Sequence, residues 1–152
     1  MSKPLNAPFD PPYETTIFVR DNCLCLHAQR AARALARRFD EALRPVGLTN
    51  GQFSLLMSLN RPEPPTIGSV ASLLAMDRTT LTAALKPLER RGLLEVHVDP
   101  NDKRGRLLVL TVAGRRVLVE ALPIWKQTHG EVDQTLGEID PDTVRASLRL
   151  LS

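Results

Sequence analysis

The sequence predicts a mainly α-helical fold carrying one small β-hairpin. Three observations predict it. Apolar residues recur at helical spacing through most of the chain, the period changes to two only after Gly92, and aromatic residues make up 4% of a chain that is 43% hydrophobic. At 152 residues the chain fits a single compact domain built on Leu, Ala and Val.

Prolines mark the boundaries, because each disfavours a helix interior and restrains the residue before it. Pro4, Pro8, Pro11 and Pro12 predict an extended start over residues 1–14, within an N-terminal arm of residues 1–19. Residues 15–44 hold no Pro or Gly and predict one long helix, with Leu24, Ala28, Ala31, Leu35, Phe39 and Leu43 on its apolar stripe. Pro45 and Gly47 end it. Thr49 and Gln52 have capping-box spacing, so a second helix starts at about residue 50 and runs to about residue 60. Thr66 caps a third, which offers Ile67, Val70, Ala71 and Leu74 to the core. Asp77 caps a fourth, RTTLTAALKPLERR, which buries Leu81, Leu85 and Leu88 and closes at Gly92.

Leu94, Val96 and Val98 then alternate with Glu95, His97 and Asp99, the pattern of a half-buried strand. Residues 106–111, RLLVLT, return beside it, and DPNDKRG between them is a charged hairpin tip. Thr111 caps a fifth helix that Pro123 is expected to kink or break. Asp140-Pro141 opens the last helix, whose short apolar stripe is Val144, Leu148 and Leu151.

Two short helices across a tight turn, followed directly by a hairpin, form a winged helix-turn-helix, placed here at residues 48–111. In that arrangement the second helix enters the DNA major groove and the hairpin tip follows the backbone or minor groove. The residues suit the task. Thr79, Thr82, Ala83 and Lys86 share the face opposite the buried leucines, with Arg78 and Thr80 in the first turn and Arg90 in the last. Small side chains allow close approach to base edges, and the cations meet phosphates. The tip adds Lys103, Arg104 and Arg106. Lys plus Arg exceeds Asp plus Glu by 20 to 17, a net +3 that averages unequal parts: these basic clusters stand against an acidic tail with Glu120, Glu131, Asp133, Glu138, Asp140 and Asp142. Double-stranded DNA is the expected partner.

Other classes find less support. No nucleotide loop, Ser-His-Asp set or paired carboxylates stand out, so no catalytic residues, enzyme activity or cofactor are expected. Cys23 and His27 lie four apart, yet His97 and His129 are distant and no zinc set assembles, so no metal is expected. Two cysteines exclude a secreted disulfide scaffold. The start MSKPLNAPFDPPY matches no signal peptide, and no apolar run is long enough to span a membrane, so a cytoplasmic protein is expected. Cys23 and Cys25 are redox candidates, although in a regular helix they point apart and cannot pair with each other. Phe18, Arg20, Cys23, His27 and Phe53 are ligand candidates, aromatic walls with a cation for a carboxylate. Trp125 reads as a helix-packing or dimer anchor.

The segments LRPVGLTNGQFSLL, IGSVASLLAMDRTTLTAALKPLERRGLLE and VDPNDKRGRLLVLTVAGRRVL resemble the MarR family of bacterial transcription regulators, over about two thirds of the chain. The resemblance implies a homodimer made by helices at residues 20–47 and 112–152, and repression at a palindromic operator. It implies release by a small aromatic or phenolic acid or by cysteine oxidation, and Asp102 supporting the wing by a salt bridge to Arg104, which enters the minor groove. Ala83, Ala84 and Pro87 depart from the family pattern. Ala83 and Ala84 keep open an alternative, a winged-helix protein-interaction module without DNA binding.

Overall fold

The computed structural model describes residues 10–152 as α1 (Tyr13–Asn22), α2 (Leu24–Leu43), a 3₁₀ turn (Arg44–Val46), α3 (Asn50–Ser58), α4 (Ile67–Leu73), α5 (Arg78–Arg90), β1 (Leu94–Val98), β2 (Arg106–Leu110), α6 (Val112–Gln134) and α7 (Pro141–Arg149). Pro4 and Pro8 of the expected arm lie outside the described residues. The chain divides into two compact units, the first ending at Arg37 and the second running from Arg38 to Ser152.

In the first unit the structure corrects the sequence reading twice. The expected arm is already helical from Tyr13, starting after Pro12, whose φ of −57° and ψ of 146° suit a residue just outside a helix. The expected continuous helix is interrupted at Cys23, which is extended at φ −76° and ψ 104°. The break is made by polar groups rather than by Pro or Gly. Asn22 Nδ2 donates to the Phe18 carbonyl at 2.8 Å, and the Cys23 thiol accepts the Leu26 N–H at 3.4 Å, satisfying an amide in the first turn of α2. The Cys23 carbonyl also meets His27 Nδ1 at 2.8 Å. No residue of α1 is buried.

The second unit closes around Leu43, Leu56, Leu81, Leu88, Leu94 and Leu108, all fully buried. Its helices begin where the cap residues predict. Gln52 N–H donates to Thr49 Oγ1 at 3.2 Å while Thr49 N–H donates to Gln52 Oε1 at 3.1 Å, a complete capping box. Thr66 accepts from Ser69 N–H, Asp77 from Thr80 N–H, Thr111 from Gly114 N–H and Asp140 from Thr143 N–H. The turn between α4 and α5 is tight enough to hold Ala75 at φ +52°.

β1 and β2 pair antiparallel, from Leu94 opposite Leu110 to Val98 opposite Arg106. The segment before α4 joins them, since Leu108 N–H donates to the Pro65 carbonyl at 2.9 Å and Thr66 bridges Leu107. The wing is thereby tied to the helix-turn-helix at its base. α6 runs unbroken through Pro123, so of the expected kink or break the break does not occur. The proline withholds its bond from the Val119 carbonyl, but both residues are exposed, so water can take that carbonyl. α5 likewise passes through Pro87 without interruption.

Trp125 packs α6 onto α3, its ring stacked 6.0 Å from Phe53, and it meets His129 of its own helix at 4.7 Å in a tilted pair. α7 buries no residue and is held to α6 by Arg145, which reaches Asp133 at 3.1 Å. Asp142, at 2.8 Å, and Asp133 hold the Arg145 pKa above its usual value. Among the described residues no helix is long and apolar enough to cross a membrane.

Candidate nucleic-acid interface

α5 is oriented by what it buries. Leu81, Leu85 and Leu88 face the core, which leaves Thr79, Thr82, Ala83 and Lys86 outward around a hollow of about 340 Å³ that Arg78 also lines. Asp77 sets the first turn. Its carboxylate accepts Thr80 Oγ1–H at 2.6 Å and Thr80 N–H at 2.8 Å, bonds that hold its pKa below the usual carboxylate range.

The hydroxyls of the sequence-predicted face are therefore unequal. Thr80 spends its proton on Asp77, and Thr82 donates its own to the Arg78 carbonyl at 2.7 Å. Thr79 makes no side-chain hydrogen bond among the described residues and is the hydroxyl free to donate outward. Ala83 is exposed, while Ala84 is half-buried against the core and belongs to packing.

The wing tip is shaped by two aspartates. Asp99 accepts the Asn101 N–H at 2.8 Å, and Asp102 Oδ1 accepts the Arg104 N–H at 3.0 Å, both local turns that fix the backbone. The Asp99 N–H closes the loop onto the Gly105 carbonyl at 3.1 Å. The salt bridge expected between Asp102 and the Arg104 guanidinium is absent among the described residues; the carboxylate supports Arg104 through its backbone instead. Arg106 turns inward, donating to the carbonyls of Lys103 at 3.2 Å and Gly105 at 3.0 Å. Lys103 and Arg104 are left exposed with unpaired side chains among the described residues.

Helix and wing meet in a cleft of about 430 Å³ lined by Arg78 and Thr82 on one side and Asp99, Asp102, Arg104 and Arg106 on the other. Its floor includes Gly68 of α4, a residue that sequence reasoning passed over; the signal was a glycine near the start of a helix. Arg90 is exposed in the last turn of α5, whereas Arg91 is drawn away to donate to the Gly47 carbonyl at 2.9 Å.

The ligand and redox candidates divide between the units. In the first, Phe18 is exposed and Arg20 pairs with Asp21, its Nε 2.6 Å from Oδ1. Cys23 is half-buried, while Cys25 is exposed and accepts from Gln29 Nε2 at 3.1 Å. In the second, Phe53 is 4% exposed and committed to the core through Trp125. Sequence reasoning missed a smaller hollow of about 260 Å³ lined by Met57, Asn60, Leu118, Val119 and Leu122, with Arg115 reaching Asn60 at 3.3 Å.

Comparisons with known proteins agree with this geometry. The MarR family model matches residues 48–105. The transcriptional activatory protein BadR of Rhodopseudomonas palustris is 32% identical over 134 residues, covering 86% of this chain and 75% of BadR. The M. tuberculosis transcriptional regulator MosR, solved in complex with DNA, is 38% identical with a TM-score of 0.78, over 86% of this chain and 93% of MosR. The transcriptional repressor CouR bound to a 23-mer DNA duplex is 30% identical with a TM-score of 0.72, over 88% of this chain and 92% of CouR. CouR also matches as solved with p-coumaroyl-CoA, at 26% identity and a TM-score of 0.76 over 88% of this chain and 94% of CouR. The chain belongs to the MarR family of DNA-binding transcriptional regulators.

Proposed function

We propose that the protein is a homodimeric repressor that occupies a palindromic operator and leaves it when a small aromatic or phenolic acid binds. The observation that carries this reading is the cleft itself: Arg78 of α5 and Arg104 of the wing tip, without internal acceptors among the described residues, line one hollow, which supports a duplex whose major groove takes α5 and whose minor groove takes Arg104. Acting on chromosomal DNA, it works in the cytoplasm. A second copy fits the apolar surface at both ends of the chain. Tyr13, Phe18, Val19 and Leu24 near the start, and Leu148, Leu150 and Leu151 near the end, are each more than half exposed. A two-fold dimer would carry two α5 helices to two half-sites of one operator.

For the effector, Arg20 supplies a cation whose one partner among the described residues is its exposed neighbour Asp21, and a ligand carboxylate can displace that pairing. The test is to recover bound fragments from genomic DNA with the purified protein, then titrate hydroxybenzoates and hydroxycinnamates against the complex. Release in wild type and not in Arg20→Ala is the expected result. Failure to retain any duplex, or a monomer in sedimentation at binding concentrations, overturns the corresponding part.

The interruption at Cys23 favours a second reading, a redox-responsive repressor. An extended Cys23 ahead of a helical Cys25 interrupts the regular helix in which the two thiols would point apart. A hydroperoxide would take two electrons and two protons from the thiols, leaving a disulfide, an alcohol and water. Peroxide release that persists in Cys23→Ser/Cys25→Ser removes both cysteines from the mechanism.

A further inference from the structure

We propose that Gly68 is a positioning residue for DNA binding, kept without a side chain so that Arg78 can lie across α4 and present its guanidinium to one backbone phosphate in the cleft between helix and wing. The inference deepens the DNA-binding reading and rests on it.

Arg78 is the first residue of α5, and the helical rotation from Leu81, Leu85 and Leu88 places it on the flank of the helix rather than on the outward face of Thr79 and Lys86. From there its side chain runs back over α4. A Cβ built on Gly68 would stand 2.9 Å from Nη2 of Arg78, too close for that atom to stay, and in ordinary contact with Cζ at 3.6 Å and Nε at 3.9 Å, so one edge of the guanidinium rests on the space that a side chain would take. Among the described residues nothing accepts a hydrogen bond from that guanidinium, although Asp99 and Asp102 line the same cleft. It is a cation held by shape and not yet neutralised.

Position selects the acceptor. Arg78 and Thr82 line both the hollow of the α5 face and the cleft shared with the wing, so they stand on the ridge between them. A strand leaving the groove filled by α5 toward the wing tip crosses that ridge with its phosphates, whereas base edges lie deeper, against Thr79 and Ala83. The glycine is otherwise poorly placed: it weakens a seven-residue helix, and alanine there would favour helix formation. Because the clashing atoms are the far end of a flexible side chain, Gly68→Ala can be absorbed by moving Arg78 with no change to the fold.

The experiment is a double-mutant cycle on a duplex recovered by the wild-type protein, read by fluorescence anisotropy over a KCl series, with thermal unfolding of each variant. Gly68→Ala is expected to bind about ten-fold more weakly or worse, the value of one charge-assisted hydrogen bond. Its dependence of log K on log salt should flatten by about one per subunit, and its Tm should be unchanged or higher. In the Arg78→Ala background the same substitution should cost nothing further. Wild-type affinity in Gly68→Ala overturns the proposal. So does a loss that persists undiminished without Arg78, which would place the damage in α4 itself. A wild-type protein that retains no duplex sinks the DNA-binding reading, a result distinct from either.

Discussion

Gly114→Ala separates backbone packing from helix propensity more sharply than any other single change. Gly114 is the third residue of α6, and its N–H is held by Thr111 Oγ1 at 3.0 Å. An added Cβ would be driven into the Leu93 carbonyl oxygen, with Leu110 Cδ1 at 2.8 Å and Leu93 C at 3.1 Å. That carbonyl is anchored by the Thr111 N–H at 3.2 Å, just before β1 begins, so relief requires the base of the wing to move off α6. Overpacking of this kind costs about 1–3 kcal/mol, and a clash with backbone belongs at the upper end. The helix itself gains up to about 1 kcal/mol when Gly becomes Ala, leaving a net loss of about 2 kcal/mol. For a chain of this size that lowers Tm by roughly 4–8 °C, measured by far-UV circular dichroism at one fixed protein concentration. Gly130→Ala is the control on the same helix, since its Cβ would meet nothing within 4 Å, and Tm should rise. Equal or higher Tm in Gly114→Ala would refute the reasoning, because propensity alone would then describe both glycines.

Three further outcomes follow from the same contacts. Leu88→Ala, at a site with no exposure, should lose about 2–5 kcal/mol in denaturant unfolding; a loss below about 1 kcal/mol would mean that α5 collapses into the space. Asp77 titrates lower when folded, so its contribution is fully present above its ordinary pKa and disappears as pH falls through the depressed value; wild type should lose more Tm than Asp77→Asn between about pH 5 and pH 3, and parallel curves would remove the cap from the account. Arg104→Ala should weaken duplex binding and flatten its salt dependence, whereas Arg106→Ala should weaken it through a looser tip with the salt dependence kept; identical salt curves for the two would contradict the inward turn of Arg106.

What the sequence disclosed and what it hid differ in range. Thr49, Thr66, Asp77, Thr111 and Asp140 bond to amides three residues away, so their spacing alone marks the helix starts, and the alternation after Gly92 marks the hairpin, though not its register. The interruption at Cys23 left no such mark, because Asn22 and a thiol do there what Pro or Gly usually does. Pro123 does not break its helix, because it and Val119 lie on the exposed side, where water can take the carbonyl left unbonded. Within the candidate site, residue type marks the cations but not their internal acceptors. Arg106 and Arg91 meet carbonyls that only the folded loop brings near, and Gly68 matters through a residue ten positions later.

That division among the cations bounds the electrostatics of binding. The net charge of +3 sets no limit by itself, since only side chains without an internal acceptor can release counterions from DNA. Among the described residues, on α5 and the wing tip, these are Arg78, Lys86, Arg90, Lys103 and Arg104, whereas Arg91 and Arg106 already hold carbonyls of Gly47, Lys103 and Gly105. Five cations per subunit give about ten phosphate contacts for the proposed dimer, and at about 0.9 per contact the plot of log K against log salt can fall no more steeply than about −9. Asp99 and Asp102 beside the cleft pull the value below that ceiling. Anisotropy titrations in KCl from low to physiological salt measure it directly. A steeper slope would require Arg91 or Arg106 to abandon its carbonyl on binding, or the arginines of α2, Arg30, Arg33 and Arg37, to reach the duplex, and only the second would displace α5 and the wing as the whole of the interface.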